Sequence, residues 1–389
     1  MVTIRKTKEN KPVIAICYDF DKTLSPDDMQ AQGYIQAVYG EDVPSFWKES
    51  NKMAEDNEMD TNLAYMRKMV EEAHGRIVLT RETLEKYGSE VVLFPGVVGW
   101  FERIREYGKK HNVIIEHYII SSGLKEMIEG TPVAKAGAFE KIYASSFMFD
   151  DRNVPIWPAQ AVNFTNKTQF LFRIEKGVLD VNDSGVNDYF PPEDIRVPFR
   201  NIVYIGDSDT DIPCMKLVNT YGGHSIGVYN NDKLDKTKVY KMIRENRIKY
   251  FAPADYTEGS PLDDIVKMII DRTEKNELLE NIHYNCKEEQ TNDDLKKQNN
   301  ADKNRRLNLI LSLHGSRNFS TTHTIIKELN LIDSWDTDET DMLLEIATKN
   351  SQVRYIINDL DVKAFYKKII ENLPEKTEYS IEVESYFDK

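Results

Sequence analysis

Two aspartates, Asp19 and Asp21, stand one residue apart at the end of an apolar run, in the stretch VIAICYDFDKTLSPDD (13–28). Like charges that close are costly unless a cation or a proton lies between them. Hard oxygen ligands at such a point suit Mg²⁺. With the charge neutralised, Asp19 could attack a phosphorus atom and Asp21 could move a proton. The other reading of DFDKT is a strand-to-loop turn with aspartate as its turn residue.

Three further groups follow in order. YIISSGL (118–124) is an apolar run ending in hydroxyls and Gly123. Ser121 or Ser122 could bond a phosphoryl oxygen beside the backbone N–H groups of a following helix, or simply cap that helix. NFTNKTQFLFRIEKG (163–177) predicts a helix from near Asn166, with Gly177 as its stop. Lys167 falls in the first turn, where a cation opposes the helix dipole. It is either a solvated lysine or an ammonium that neutralises a phosphoryl group and Asp19. VYIGDSDTDIP (203–213) sets Asp207, Asp209 and Asp211 at alternate positions after Gly206. Asp207 is the expected metal ligand. Asp211 is expected behind it, facing the metal through water or Lys167 directly, and Asp209 is expected in solvent. The downstream glycine and glutamate of a calcium-binding EF-hand are absent.

These groups need a frame that brings strand ends together. Apolar runs at 13–20, 113–121, 141–147, 201–207 and 225–230 alternate with helical stretches. Continuous runs of this kind fit parallel strands covered on both faces, hence a doubly wound α/β sheet. Ligands bind such sheets at the carboxyl ends of the strands. Residues 26–93 interrupt the alternation with helical periodicity, Leu63, Met66, Met69 and Val70 forming a core-facing stripe. This insertion is expected to cover the site as a lid. Residues 147–164 read as a hairpin turning at Asp150 to Asn153, and Ser260 as the cap of a helix that closes the α/β part.

The expected domains are an α/β core of residues 1–25 and 94–272, a helical cap of 26–93, a charged linker or solvated helix of 273–303, and a C-terminal helical region of 304–389. That last region offers a surface for a protein partner or self-association. Its acidic DSWDTDETD (333–341) is better explained by capping and solvation than by metal binding. The formal net charge of −14 argues against a nucleic-acid or anionic-membrane binder. Cys17, Cys214 and Cys286 form no CxxC pair, which suits a reducing compartment. With no signal-like start and no run of about 18 apolar residues, the expectation is a soluble cytoplasmic protein.

The four groups together resemble the haloacid dehalogenase superfamily, specifically its Mg²⁺-dependent phosphohydrolases. The resemblance covers residues 12–272 and is nearest to phosphoserine-phosphatase-like members, through the helical cap after the first motif and the hairpin before the lysine helix. It implies that Asp19 is a nucleophile forming an aspartyl-phosphate. Asp21 would protonate the leaving oxygen and then activate water. Thr23, Ser121, Ser122 and Gly123 would hold the loop and the phosphoryl group. Mg²⁺ would sit on Asp19, the backbone carbonyl of Asp21, and Asp207. The substrate implied is a small phosphorylated metabolite. Transfer to an acceptor other than water, or a phospho-ligand sensor acting through the C-terminal helices, are the alternatives. Two departures stand out: residues 178–199 are long for this group, and no cap residue matches a substrate reader. Arg67, Arg76 and Arg81 are candidates to meet an anionic group or are solvated.

Overall fold

The computed structural model describes residues 5–207, 209–233 and 235–387. Seven strands form one sheet: β1 (Val13–Tyr18), β2 (Ile114–Leu124), β3 (Lys141–Phe149), β4 (Pro155–Gln160), β5 (Ile202–Gly206), β6 (His224–Tyr229) and β7 (Tyr250–Pro253). Their order is β4-β3-β2-β1-β5-β6-β7, parallel throughout except for β4, which pairs antiparallel with β3. β7, only four residues long, gave too short an apolar run to be read from sequence.

β1 explains why its run is unbroken. Ile14, Ile16 and Tyr18 belong to one buried cluster, while Val13, Ala15 and Cys17 belong to another. Successive side chains point to opposite faces of a strand, so a strand covered by helices on both faces needs apolar residues at every position. The fold is the doubly wound α/β sheet the alternation called for.

Helices Tyr34–Val38, Val43–Asp56, Thr61–Ala73 and Arg81–Ser89 fill the insertion after β1. Met66 and Met69 are fully buried, and Val70 packs against the same cluster. The β3–β4 turn lies where expected: Asp150 N–H donates to the Val154 carbonyl, and Asn153 takes a left-handed φ of 59°. The helix Pro261–His314 starts on Ser260, whose Oγ accepts the Asp263 N–H at 3.2 Å. The charged stretch 274–306 is helical and lies within it.

By its internal contacts the chain divides into two units, Met1–Ile282 and His283–Lys389. In the second, helices Phe319–Leu329, Thr337–Lys349, Ser351–Tyr355, Leu360–Glu371 and Glu378–Glu384 surround a separate core that includes Ile326, Leu343, Leu344, Phe365 and Tyr366. No described helix is long and apolar enough to cross a membrane.

Candidate active site

Asp19 follows β1 directly, and its N–H donates to the Ile205 carbonyl of β5 at 3.0 Å. That bond fixes Asp19 at the carboxyl edge, between the two central strands. The chain then turns tightly: Thr23, Leu24 and Ser25 all donate N–H groups to the Phe20 carbonyl. Lys22 sits in the turn with φ at 58°, a conformation that costs a non-glycine residue energy. Tyr256 donates its hydroxyl to the Thr23 carbonyl at 2.9 Å and holds the turn from below. Asp21 Oδ1 accepts the Met29 N–H at 2.7 Å. Its other oxygen lies so near Gly123 that a Cβ there would stand 2.7 Å away. The Met29 methyl would be closer still, so any side chain at 123 would press on both Met29 and the Asp21 carboxylate.

β2 runs past Ser121 to Leu124, with a register irregularity between those two residues. The Gly123 N–H donates back to Ser121 Oγ at 3.0 Å. The next helix, Lys125–Gly130, has Leu124 at its N-cap, so neither Ser121 nor Ser122 is its cap. Lys167 lies at the junction of a short 3₁₀ turn, Phe164–Lys167, and the helix Thr168–Lys176, which ends on left-handed Gly177. The lysine is completely buried. Its ammonium lies 2.8 Å from Asp211 Oδ1 and 3.3 Å from Asp19 Oδ1, and donates to Thr210 Oγ1 at 3.4 Å.

β5 ends on Gly206, where a Cβ would stand 2.6 Å from Asp211 Oδ2. Asp211 is buried beneath it, and Tyr204 donates its hydroxyl to Asp211 Oδ1 at 2.8 Å. Asp209 points to solvent. Carboxylate oxygens of Asp19, Asp207 and Asp211 all lie within 4.8 Å of one another. The carboxylate of Asp21 is outside that group, engaged by Met29.

Four side-chain oxygens along these loops are buried without a hydrogen-bond partner: Asp19 Oδ1, Asp207 Oδ1, Thr23 Oγ1 and Ser122 Oγ. Buried polar atoms normally find partners. Two orphaned carboxylate oxygens within a trio of aspartates fit a hard divalent cation such as Mg²⁺. Two orphaned hydroxyls nearby fit an oxyanion.

Residues 16–216 match the family of haloacid dehalogenase-like hydrolases. This chain belongs to that family. Among its relatives is an uncharacterized protein of Borreliella burgdorferi, 30% identical over 289 residues, covering 65% of this chain and 95% of the relative. A HAD family hydrolase from Salmonella enterica serovar Typhi is similar in structure, with TM-score 0.44, 17% identity, and coverage of 67% of this chain and 73% of that one. A phosphoserine phosphatase solved as a phospho-aspartyl intermediate analogue gives TM-score 0.40 and 17% identity, covering 66% of this chain and 99% of that one.

Burial shapes the charges of this hydrolase. It pushes the Asp19 carboxyl up to about 6, aided by Asp211 and opposed by Lys167. It pushes Asp207 up to about 7, against the pull of Lys238, whose ammonium lies 3.6 Å from Asp207 Oδ2. Asp21 is held well above the ordinary carboxylate range by burial, then by Asp28 and Asp19. Burial alone would lower Lys167, but Asp19 and Asp211 outweigh it and hold the ammonium charged. A divalent cation seated among the aspartates would return them to the ionised form.

The cap is fastened over this site by hydrogen bonds that no sequence pattern announced. Tyr65 donates its hydroxyl to the Ser122 carbonyl at 2.7 Å, and Asn62 donates to the Val162 carbonyl at 2.7 Å. Asn163, just before the lysine helix, donates to Asp60 and Thr61 at 3.3 Å each. The cap arginines are engaged elsewhere. Arg67 pairs with Glu71, Arg76 with Glu72, and Arg81 lies 3.6 Å from Glu129 and over the Phe149 ring. The long stretch 178–199 carries Arg196, which grips Glu116 and Glu9 and so ties the chain's beginning to β2.

Proposed function

We propose that this hydrolase is a Mg²⁺-dependent phosphoric monoester hydrolase that cleaves a small phosphorylated metabolite through an aspartyl-phosphate on Asp19. The observation that carries the reading is Asp19 Oδ1, buried, accepting no hydrogen bond, and 3.3 Å from the Lys167 ammonium. A carboxylate oxygen so placed is held by an ion pair yet accepts no hydrogen bond, which suits a nucleophile.

In the first step Asp19 bonds to phosphorus as the bond from phosphorus to the leaving oxygen breaks. Asp21, whose carboxyl is raised by burial and by Asp28, gives its proton to that oxygen. In the second step Asp21 takes a proton from water as the water oxygen attacks phosphorus, and the bond to Asp19 breaks. Lys167 offsets the negative charge on Asp19 and the phosphoryl group throughout. Thr23, Ser121, Ser122 and the Gly123 backbone hold phosphoryl oxygens. Asp19, the Asp21 carbonyl and Asp207 would hold Mg²⁺, which supplies charge neutralisation at the phosphoryl oxygens. Asp211 positions Lys167. The fastened cap favours a substrate small enough to be enclosed.

Hydrolysis of a generic aryl phosphate tests this reading. Activity should need Mg²⁺, Asp19→Asn should abolish it with the fold intact, and Asp207→Asn should raise the Mg²⁺ requirement at least tenfold. Metal-independent turnover, or an active Asp19→Asn protein, would contradict it.

A further inference from the structure

Three of the described lysines face aspartates at this site, and they are held very differently. Lys167 is fully buried and fixed between Asp211 and Asp19. Lys22 donates to both oxygens of Asp28 at 2.9 Å. Lys238 lies 3.6 Å from Asp207 Oδ2, beyond hydrogen-bond reach, with 44% of its side chain exposed. Among the described residues Asp207 is its one carboxylate partner. Charge alone holds the two together.

The place of Lys238 carries a cost of its own. It is the second residue of the helix Thr237–Arg244, where a cation opposes the helix dipole. Packing fixes that helix against β6. Val239 and Met242 are buried, and Gly227 of β6 lets both come close, since a Cβ there would stand 3.3 Å from a carbon of each. The backbone at 238 is therefore set, while the long lysine stem remains able to swing. Asp207 meets the ammonium with Oδ2 only. Its Oδ1 is buried without a partner, within the aspartate trio that fits a divalent cation.

We propose that Lys238 is an exchangeable counter-ion that sets metal affinity and substrate affinity in opposite senses. The inference rests on the reading of the site as a Mg²⁺-dependent phosphatase. An ammonium and Mg²⁺ on one carboxylate repel each other, so Lys238 weakens the hold of Asp207 on the metal. A phosphoryl dianion beside Asp19 offers the ammonium a more highly charged partner. Lys238 turns to it and tightens substrate binding. It is a positioning residue, and no bond forms or breaks on it.

Lys238→Met and Lys238→Arg, each in the full-length protein, test the proposal. Calorimetry gives the Mg²⁺ dissociation constant without substrate, and kinetics at saturating Mg²⁺ give KM for an aryl phosphate. At low ionic strength Lys238→Met should bind Mg²⁺ about fivefold more tightly and show a KM about fivefold higher. Both differences should shrink in about 1 M salt, where charges are screened within about 3 Å. Lys238→Arg keeps the charge and should keep both constants close to the parent's. Loss of a merely structural group would weaken both ligands together. With hydrolysis by the parent intact, an unaltered Mg²⁺ constant, an unaltered KM, or both affinities moving in the same direction in folded Lys238→Met would overturn the assignment. A parent protein that neither binds Mg²⁺ nor hydrolyses the aryl phosphate would contradict the phosphatase reading itself.

Discussion

Lys167 and Asp211 form an ion pair of 2.8 Å in which neither side chain is exposed to solvent. A pair this deep is weak evidence for stability, because desolvation offsets much of the attraction. Breaking it is another matter, since Lys167→Met leaves Asp19 and Asp211 buried beside each other without their shared cation. Losing one partner of a buried pair typically costs about 3–5 kcal/mol. The variant should melt well below the parent protein, and Mg²⁺ should raise its Tm more than it raises that of the parent. Removing a group that stabilises transferred charge should also lower kcat by about 10²–10³-fold. Thermal melts with and without Mg²⁺, paired with aryl-phosphate kinetics, read both effects.

Tyr65 ties the cap to the site through the Ser122 carbonyl. In Tyr65→Phe that carbonyl keeps its second donor, the Ser145 hydroxyl at 3.1 Å, so no buried acceptor is orphaned. The loss is then one ordinary hydrogen bond, about 1 kcal/mol. Amide exchange in helix Thr61–Ala73 should quicken about fivefold while the strands keep their protection.

Glu116 links β2 to the chain's beginning. Burial would raise its carboxyl, but hydrogen bonds from Arg196, Lys6 and Tyr118 outweigh burial and bring it from 4.5 down to about 2. A depressed carboxylate contributes stability that is fully present above its unfolded value and is lost as pH falls through the folded one. The parent protein should therefore lose stability between about pH 4.5 and 2, by on the order of 3 kcal/mol from this group. Glu116→Gln should flatten that part of the acid-unfolding curve and lower stability at pH 7.

Much of this was legible in the residues. The unbroken run in β1 announced a strand buried on both faces. The doubled aspartates announced crowded carboxylates at a strand end, and the structure sets Asp19 within a trio with Asp207 and Asp211 while Met29 engages Asp21. Lys167 in a first helical turn was legible as an oddity, and its burial against Asp19 and Asp211 gives the reason. What escaped depended on contacts that only the folded chain makes. Tyr204, two residues before Gly206, looks like any strand tyrosine, yet it holds Asp211. Tyr65 lies in an amphipathic helix whose pattern marks only its buried face. Gly123 and Gly206 were visible as glycines, but what crowds them, Met29 and Asp21 at the first and Asp211 at the second, is brought there only by the fold. The stretch 178–199 looked like surplus length, and only pairing with Glu116 and Glu9 gives Arg196 its role.

The central claim is the bond between Asp19 and phosphorus. Mixing the protein with Mg²⁺ and excess aryl phosphate, quenching in acid within milliseconds and measuring peptide masses tests it most directly. The account predicts one added phosphoryl group on the peptide containing residues 13–28, localised to Asp19 and absent from Asp19→Asn. Steady turnover with no phosphorylated protein, or a phosphoryl group on any other residue, would contradict it.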